Sequence, residues 1–434
     1  MFASKIYKNT ASLLKGSGFR AAGIYTFSNF FSKGLSFLLI PIFTNPRFLT
    51  PEDNGLISLF GKAIIFLIPF INLGILQSAS VDFFKIDKKS FKDLCTTGVA
   101  MSFTMCLLAL GVFYFFSDYL IWKFSFPPLF MWAIPLAAFM TFCYELIILI
   151  IRNRDNPIQY MKLNMTRISL ELGLAVVLIV LFSFGWLGRV SGLLIALSLV
   201  TFYAFYFLLK NDYLFGKIRK QVIRTELKYS GPIIMMQLSV FCLFSSDSFL
   251  LSAITKNNAE VGIYGIACIF GSIIITLGSA LIQYMAPKIN KELSLKNPDY
   301  SVIKTLSKNY FKVMITGWLI LLTIVPVVYK LFINPMYWEG SQYFYFLCTG
   351  YFFWTISAFL YTFLLFHKEK RKLFFLASLS MLISLAGNYY FIQTKGAWGA
   401  SISVCLSYFL VLILTLAFTK KYWRPVFLNL KVKE

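Results

Sequence analysis

Along this chain, apolar runs of about twenty residues alternate with short polar segments. A helix needs ~20 mostly apolar residues to cross the hydrocarbon core of a bilayer. That criterion predicts twelve spans, near residues 21–43, 55–78, 94–117, 129–151, 168–186, 190–209, 230–254, 262–286, 313–333, 342–366, 373–392 and 397–418. The fifth and sixth are divided only by a tight turn at Trp186-Leu187-Gly188-Arg189. The pattern predicts an all-α polytopic membrane protein. Six spans lie on either side of the basic segment 210–229, which divides the chain into two six-helix bundles, residues 1–218 and 219–434.

The first span is not uniformly apolar. Tyr25, Ser28, Asn29, Ser32, Lys33 and Ser36 recur at intervals that place them on one face, while Phe27, Phe30, Phe31, Gly34, Phe37 and Leu38 fill the reverse. A helix lining a hydrated cavity sorts its residues in this way, which marks Tyr25, Asn29, Ser32, Lys33 and Ser36 as candidate cavity residues. The other reading is helix-packing contact by the small polar groups, with Lys33 satisfied by a buried carboxylate.

Charge at membrane depth costs from ~3 kcal/mol upward, and such residues face a cavity or a partner. Lys33, Lys62, Glu145, Glu171 and Asp247 are the five candidates. Lys62 follows the outer start of the second span by seven residues, and Asp247 precedes the outer end of the seventh by the same number. Both are therefore expected roughly 10 Å deep. At equal depth they form either a salt bridge that closes an outward gate or a static structural pair. In the seventh span, Gln237, Ser245, Ser248 and Ser252 share an arc with Asp247 near its edge. Glu145 and Glu171 fall nearer the inner surface, close to Arg152, Arg154 and Arg167. Pairing with those arginines is one role for them, and proton coupling the other.

The polar segments fix the orientation. Of 41 Lys and Arg, 33 lie in segments on the side of the N-terminus and 6 on the opposite side; Lys33 and Lys62 fall within spans. Because basic residues accumulate on the cytoplasmic side, both termini are expected in the cytoplasm. Composition agrees: 58% of the 434 residues are hydrophobic and 14% charged, against roughly 25% charged in soluble proteins. The net charge of +23 would suit a nucleic-acid binder only as a patch on a soluble surface. Here it is spread over short inter-span segments, which excludes that class and favours attraction of phosphate headgroups at the inner mouth.

Other chemistry is sparse. The seven cysteines all fall within apolar runs without metal spacing, and His367 opens a basic loop stretch, His-Lys-Glu-Lys-Arg-Lys. No metal site, cofactor or enzyme active site is expected. Residues 1–20 lack the apolar stretch of a cleaved signal peptide. The segment from Gly55 to Ala63 approaches a phosphate-binding loop but has the wrong glycine spacing, lacks the terminal Ser/Thr, and opens a membrane helix. Transport work is thus expected to draw on an ion or substrate gradient.

A short repeat is present. Pro51-Glu52-Asp53-Asn54-Gly55 opens the second span and Asn258-Ala259-Glu260-Val261-Gly262 the eighth, an offset of 207 residues. Since both halves begin inside, they read as parallel repeats.

With these features the chain resembles the Wzx-type O-antigen, or polysaccharide-biosynthesis, flippases of the multidrug/oligosaccharidyl-lipid/polysaccharide exporter superfamily. The resemblance rests on span count and topology, on Leu49-Thr50-Pro51-Glu52-Asp53-Asn54-Gly55-Leu56, on Asp247, and on Glu260-Val261-Gly262-Ile263-Tyr264. It implies a V-shaped pair of bundles working by alternating access. The implied substrate is an undecaprenyl-diphosphate-linked oligosaccharide repeat unit, and the cationic cavity is one to which Lys33 and Lys62 contribute. It also implies membrane lipids, a polysaccharide polymerase and a chain-length regulator as partners, with proton or sodium coupling through Asp247, Glu145 or Glu171. A drug/cation antiporter and a lipid-II flippase of the same superfamily are the alternatives. The first needs anionic groups where the first two spans carry lysines, and the second usually has fourteen spans.

Overall fold

The computed structural model describes residues 17–295 and 298–428. Among them every regular element is helical. In chain order these are α1 (Ser17–Leu38), α2 (Ile40–Phe43), α3 (Pro51–Asn72), α4 (Ile75–Asp82), α5 (Lys88–Phe115), α6 (Ser117–Phe124), α7 (Phe130–Asn153) and α8 (Pro157–Val180). Then follow α9 (Gly185–Lys210), α10 (Lys220–Thr255), α11 (Asn258–Leu293), α12 (Tyr300–Phe332), α13 (Gly340–Phe366), α14 (Lys370–Phe418) and α15 (Lys420–Leu428).

Ten of these helices are long and apolar enough to cross a membrane. The difference from the twelve expected spans has two physical causes. The expected eleventh and twelfth spans run together in α14, interrupted only where Gly396 leaves helical geometry at φ 54°. The first span does form a helix, α1, but its polar face keeps it off the apolar set. The segment thought to separate the fifth and sixth spans is also displaced. Ser183 and Gly185 take the left-handed conformation, at φ 56° and 53°, so the turn falls before Trp186 and Arg189 lies within the first turns of α9.

Local sequence explains where the helices start. Thr50 caps α3: its hydroxyl accepts from the Asp53 amide at 3.2 Å, and the Asp53 carboxylate accepts from the Thr50 amide at 2.9 Å. This is a reciprocal capping box with Pro51 in the first helical position, where its missing N–H costs nothing. Asp87, Asn156, Asn257 and Asp299 cap α5, α8, α11 and α12 in the ordinary way. Hydrogen bonds from the Ser90 side chain and amide hold the Asp87 carboxyl below its usual pKa.

The helices form two compact units. One holds the described residues up to Phe43 with 60–122 and 126–235; the other holds 44–59, 123–125 and the described residues from Met236. The second of these units takes the start of α3 together with the described chain from Met236 onward. The reason is a close helix crossing. A Cβ on Gly55 would run into the Asn258 carbonyl, and one on Gly262 into the Pro51 carbonyl. Adding the repeat offset of 207 to Pro51 and Gly55 gives 258 and 262, so the two copies of the motif exchange identical contacts. Only glycine permits backbones this close.

Candidate functional site

The polar residues of the first unit converge from four helices. Asn164 of α8 donates to the hydroxyls of Ser28 and Ser32 on α1, at 2.9 and 3.2 Å, and its carbonyl oxygen accepts from the Tyr144 hydroxyl of α7 at 2.9 Å. One turn further along α8, the Arg167 guanidinium lies 4.8 Å from the Tyr144 ring centre and pairs with Glu171 at 3.3 Å. Arg189 of α9 approaches the same carboxylate at 3.5 Å and stacks on Phe43 at 4.9 Å. Gly192 lets α9 press onto α8, where a Cβ would come 3.0 Å from the Glu171 carbonyl.

The balance of this cluster is its chemical content. Two guanidiniums, each about four-fifths buried, share the single carboxylate of Glu171. Arg167 Nε and Arg189 Nη1 are shielded from solvent and find no hydrogen-bond partner among the described residues. Glu145 of α7 has an exposed side chain within electrostatic reach of Arg167 and Arg152. Buried donors without acceptors cost roughly 1–3 kcal/mol each, more when charged. Forked donors of this kind match planar or multivalent oxyanions such as carboxylates and phosphates.

The expected cavity residues of α1 divide. Ser28 and Ser32 meet Asn164 of α8, while the Ser32 and Ser36 hydroxyls also donate within α1, to the Ser28 and Ser32 carbonyls. Lys33, rotated away from that seam, is exposed. Tyr25 and Asn29 lie outside the described side chains. Lys62 is half-buried on the part of α3 that belongs to the first unit.

In the second unit Asp247 of α10 is buried and accepts from the Tyr264 hydroxyl of α11 at 2.6 Å and from the Ser248 amide at 2.7 Å. Tyr351 and Tyr408 pack at 5.9 Å from each other, and the Tyr408 hydroxyl donates to the Leu243 carbonyl at 2.8 Å. Glu260, the acidic residue of the second repeat motif, accepts from the Ala397 amide at 2.6 Å. It thereby caps the helical segment that resumes after the Gly396 break. Asp53, its counterpart in the first motif, caps its own helix instead.

Sequence reasoning identified Glu171, Arg167 and Asp247 but treated Arg189 as a turn residue and passed over Asn164 and Asp93. Asp93 is buried near the start of α5, where it accepts from the Lys217 amide at 2.7 Å and from Arg219 Nε at 2.6 Å. It so ties down the segment joining the two halves. Its place beside Lys92 and Lys89, just before the apolar run that begins at residue 94, gave no sequence signal of burial. Among the described residues no group of His, Cys, Asp and Glu could hold a metal.

The sequence profile of a family described as "Polysaccharide biosynthesis protein" matches residues 19–283. None of the curated proteins matches. Three solved structures with similar folds are a lipid II flippase, MurJ, in an inward closed conformation, a multidrug resistance MATE transporter facing inward, and a superfamily transporter from Pyrococcus furiosus. MurJ has a TM-score of 0.74 at 15% identity, covering 93% of this chain and 90% of that one. The MATE transporter has 0.71 at 15%, covering 91% and 95%. The third, described as having a binding pocket of reverse polarity, has 0.59 at 13%, covering 95% and 98%. Identity this low speaks for the fold alone: a multi-pass membrane protein built like these transporters.

Proposed function

Because the chain belongs to the polysaccharide biosynthesis protein family, we propose that it is a flippase for an undecaprenyl-diphosphate-linked oligosaccharide repeat unit. It moves this unit by alternating access from the cytoplasmic to the periplasmic leaflet of a bacterial inner membrane, with both termini in the cytoplasm. The observation that carries the reading is the arginine cluster of the first unit. Arg167 and Arg189 hold one carboxylate between them and still present shielded N–H groups without acceptors. A diphosphate or an acidic sugar supplies the missing oxygens. Lys33 and Lys62 add positive charge on α1 and α3. Asp247, Glu145 and Glu171 are the carboxylates available for proton or sodium coupling, and a polysaccharide polymerase with its chain-length regulator would take over the delivered unit.

A lipid II flippase of similar fold supports a lipid-linked diphosphate as cargo for this architecture. The drug/cation antiporter alternative is disfavoured by the same cluster, since a cation would meet two guanidiniums.

The test is deletion of the gene followed by measurement of lipid-linked intermediates. The expected result is accumulation of complete repeat units on the inner leaflet and loss of surface glycan, restored by the wild-type gene. Normal surface glycan in the deletion strain, with a purified protein that moves a cationic dye into liposomes, would sink the proposal.

A further inference from the structure

The second unit carries a groove that neither the proposed substrate path nor the repeat contact uses. It lies between α11 and α12 and encloses about 640 Å³. Asn309 and Lys312 stand at one end, Val313, Gly317 and Ile320 continue along α12, and Leu277 of α11 faces them. Gly317 forms the floor, since a Cβ there would come 2.7 Å from the Leu277 side chain.

Depth and charge match one leaflet. Lys304, Lys308 and Lys312 recur every fourth residue of α12, a basic stripe running up to the groove's polar end. On α11 the same level is marked by Tyr284 and Lys288, whose ammonium lies 3.7 Å from the ring centre. From Lys312 to Ile320 the groove rises roughly 12 Å, and Leu277 lies roughly 10 Å above Tyr284. This spans part of one hydrocarbon leaflet, on the side where loop charge places the cytoplasm. Val313 and Ile320 are exposed, so the groove is open to an acyl chain arriving sideways. A basic pocket between membrane helices at the cytoplasmic level is the arrangement that retains anionic headgroups.

We propose that the α11–α12 groove is a binding site for an anionic glycerophospholipid of the cytoplasmic leaflet, with its phosphate on Lys312 and Asn309 and one acyl chain along Val313, Gly317 and Ile320 over Leu277. A groove confined to one leaflet fits an acyl chain, whereas a polyprenyl tail would overrun it.

The experiment is native mass spectrometry of the full-length protein in mild detergent, titrated separately with phosphatidylglycerol, phosphatidylcholine and undecaprenyl phosphate. The wild type should retain phosphatidylglycerol in preference to phosphatidylcholine. Lys312→Glu should reduce that retention about fivefold or more, Lys312→Arg should preserve it, and Gly317→Leu, which fills the floor, should reduce it as well. Equal retention of both phospholipids, or of phosphatidylglycerol by wild type and Lys312→Glu, overturns the site. Displacement of phosphatidylglycerol by equimolar undecaprenyl phosphate assigns the groove to the substrate and overturns it too. The phospholipid and variant outcomes hold whatever the protein transports.

Discussion

In the cluster of the first unit around Glu171, two guanidiniums share one carboxylate, whereas in the second unit the Asp247 carboxylate is held by a tyrosine hydroxyl and a backbone amide. Among the described residues, Arg167 and Arg189 retain donors without acceptors, while both oxygens of Asp247 are hydrogen-bonded, to Tyr264 and to the Ser248 amide. A polar group removed from water is tolerated when its partners are present and costly otherwise. The second cluster is therefore satisfied as a piece of protein, whereas the first leaves donors for which an oxyanion is a fitting partner. Under the proposed function, the contrast favours the first unit for ligand binding and the second as a scaffold or a coupling element.

Removing one arginine is the sharpest way to break this comparison. Arg189→Ala leaves Glu171 with only Arg167, and loss of one partner from a buried ion pair costs about 3–5 kcal/mol. We expect the largest loss of thermal stability in detergent and no transport. The triple variant Arg167→Ala, Arg189→Ala and Glu171→Ala, which removes the whole cluster and leaves no unpaired charge, should recover most of the stability and none of the transport. Recovery of both would show that the pair is structural and that the unmatched donors hold no ligand.

Lys33→Glu tests the same region at an exposed position of α1, apart from the Ser28 and Ser32 contact with Asn164. Transport in reconstituted vesicles should fall about tenfold or more, as expected when a like charge meets the substrate near the surface, with the melting temperature unchanged. A parallel loss of stability would place Lys33 in the fold instead of on the substrate route.

Tyr264→Phe addresses the second cluster. The change removes the hydroxyl donor from Asp247, and an unmatched buried acceptor costs about 1–3 kcal/mol. Stability should drop by that amount, and combining Asp247→Asn with Tyr264→Phe should return part of it. If Tyr264→Phe is silent in thermal unfolding, the completeness attributed to the second cluster is wrong.

The comparison also shows what a sequence exposes. Twelve spans were legible because hydrophobic runs of membrane length leave few alternatives, and the 207-residue offset was legible because glycine and acid recur together. What the offset could not reveal was that the two motifs touch, since backbone approach between Gly55 and Asn258 has no sequence signature beyond the glycine itself. Arg189 was misplaced because a Gly-Arg pair between apolar runs imitates a loop, while the left-handed Ser183 and Gly185 that end α8 are ordinary residue types. Asn164 was overlooked because a lone amide near an inner helix end resembles a cap. Asp247 and Glu171 stood out because a carboxylate in an apolar run demands an explanation, and the side chains that supply it come from helices distant in sequence.

The smallest effect expected concerns Glu226, on the first unit beyond the membrane span of α10. Its carboxylate accepts from the Ser78 hydroxyl at 2.7 Å, but burial raises its pKa above the ordinary value. A carboxyl raised in this way binds its proton more tightly folded than unfolded. Folding is therefore favoured below the ordinary carboxylate pKa, and that advantage is lost as pH rises through the folded value, where the buried group must ionise. Glu226→Gln keeps an acceptor for Ser78 and removes the charge, so the melting temperature at pH 8 should rise on the order of one degree, with no gain near pH 4. A fall at pH 8 would mean that the ionised carboxylate stabilises the inner end of α10, and that buried charge in the first unit is matched by more than its arginine cluster reveals.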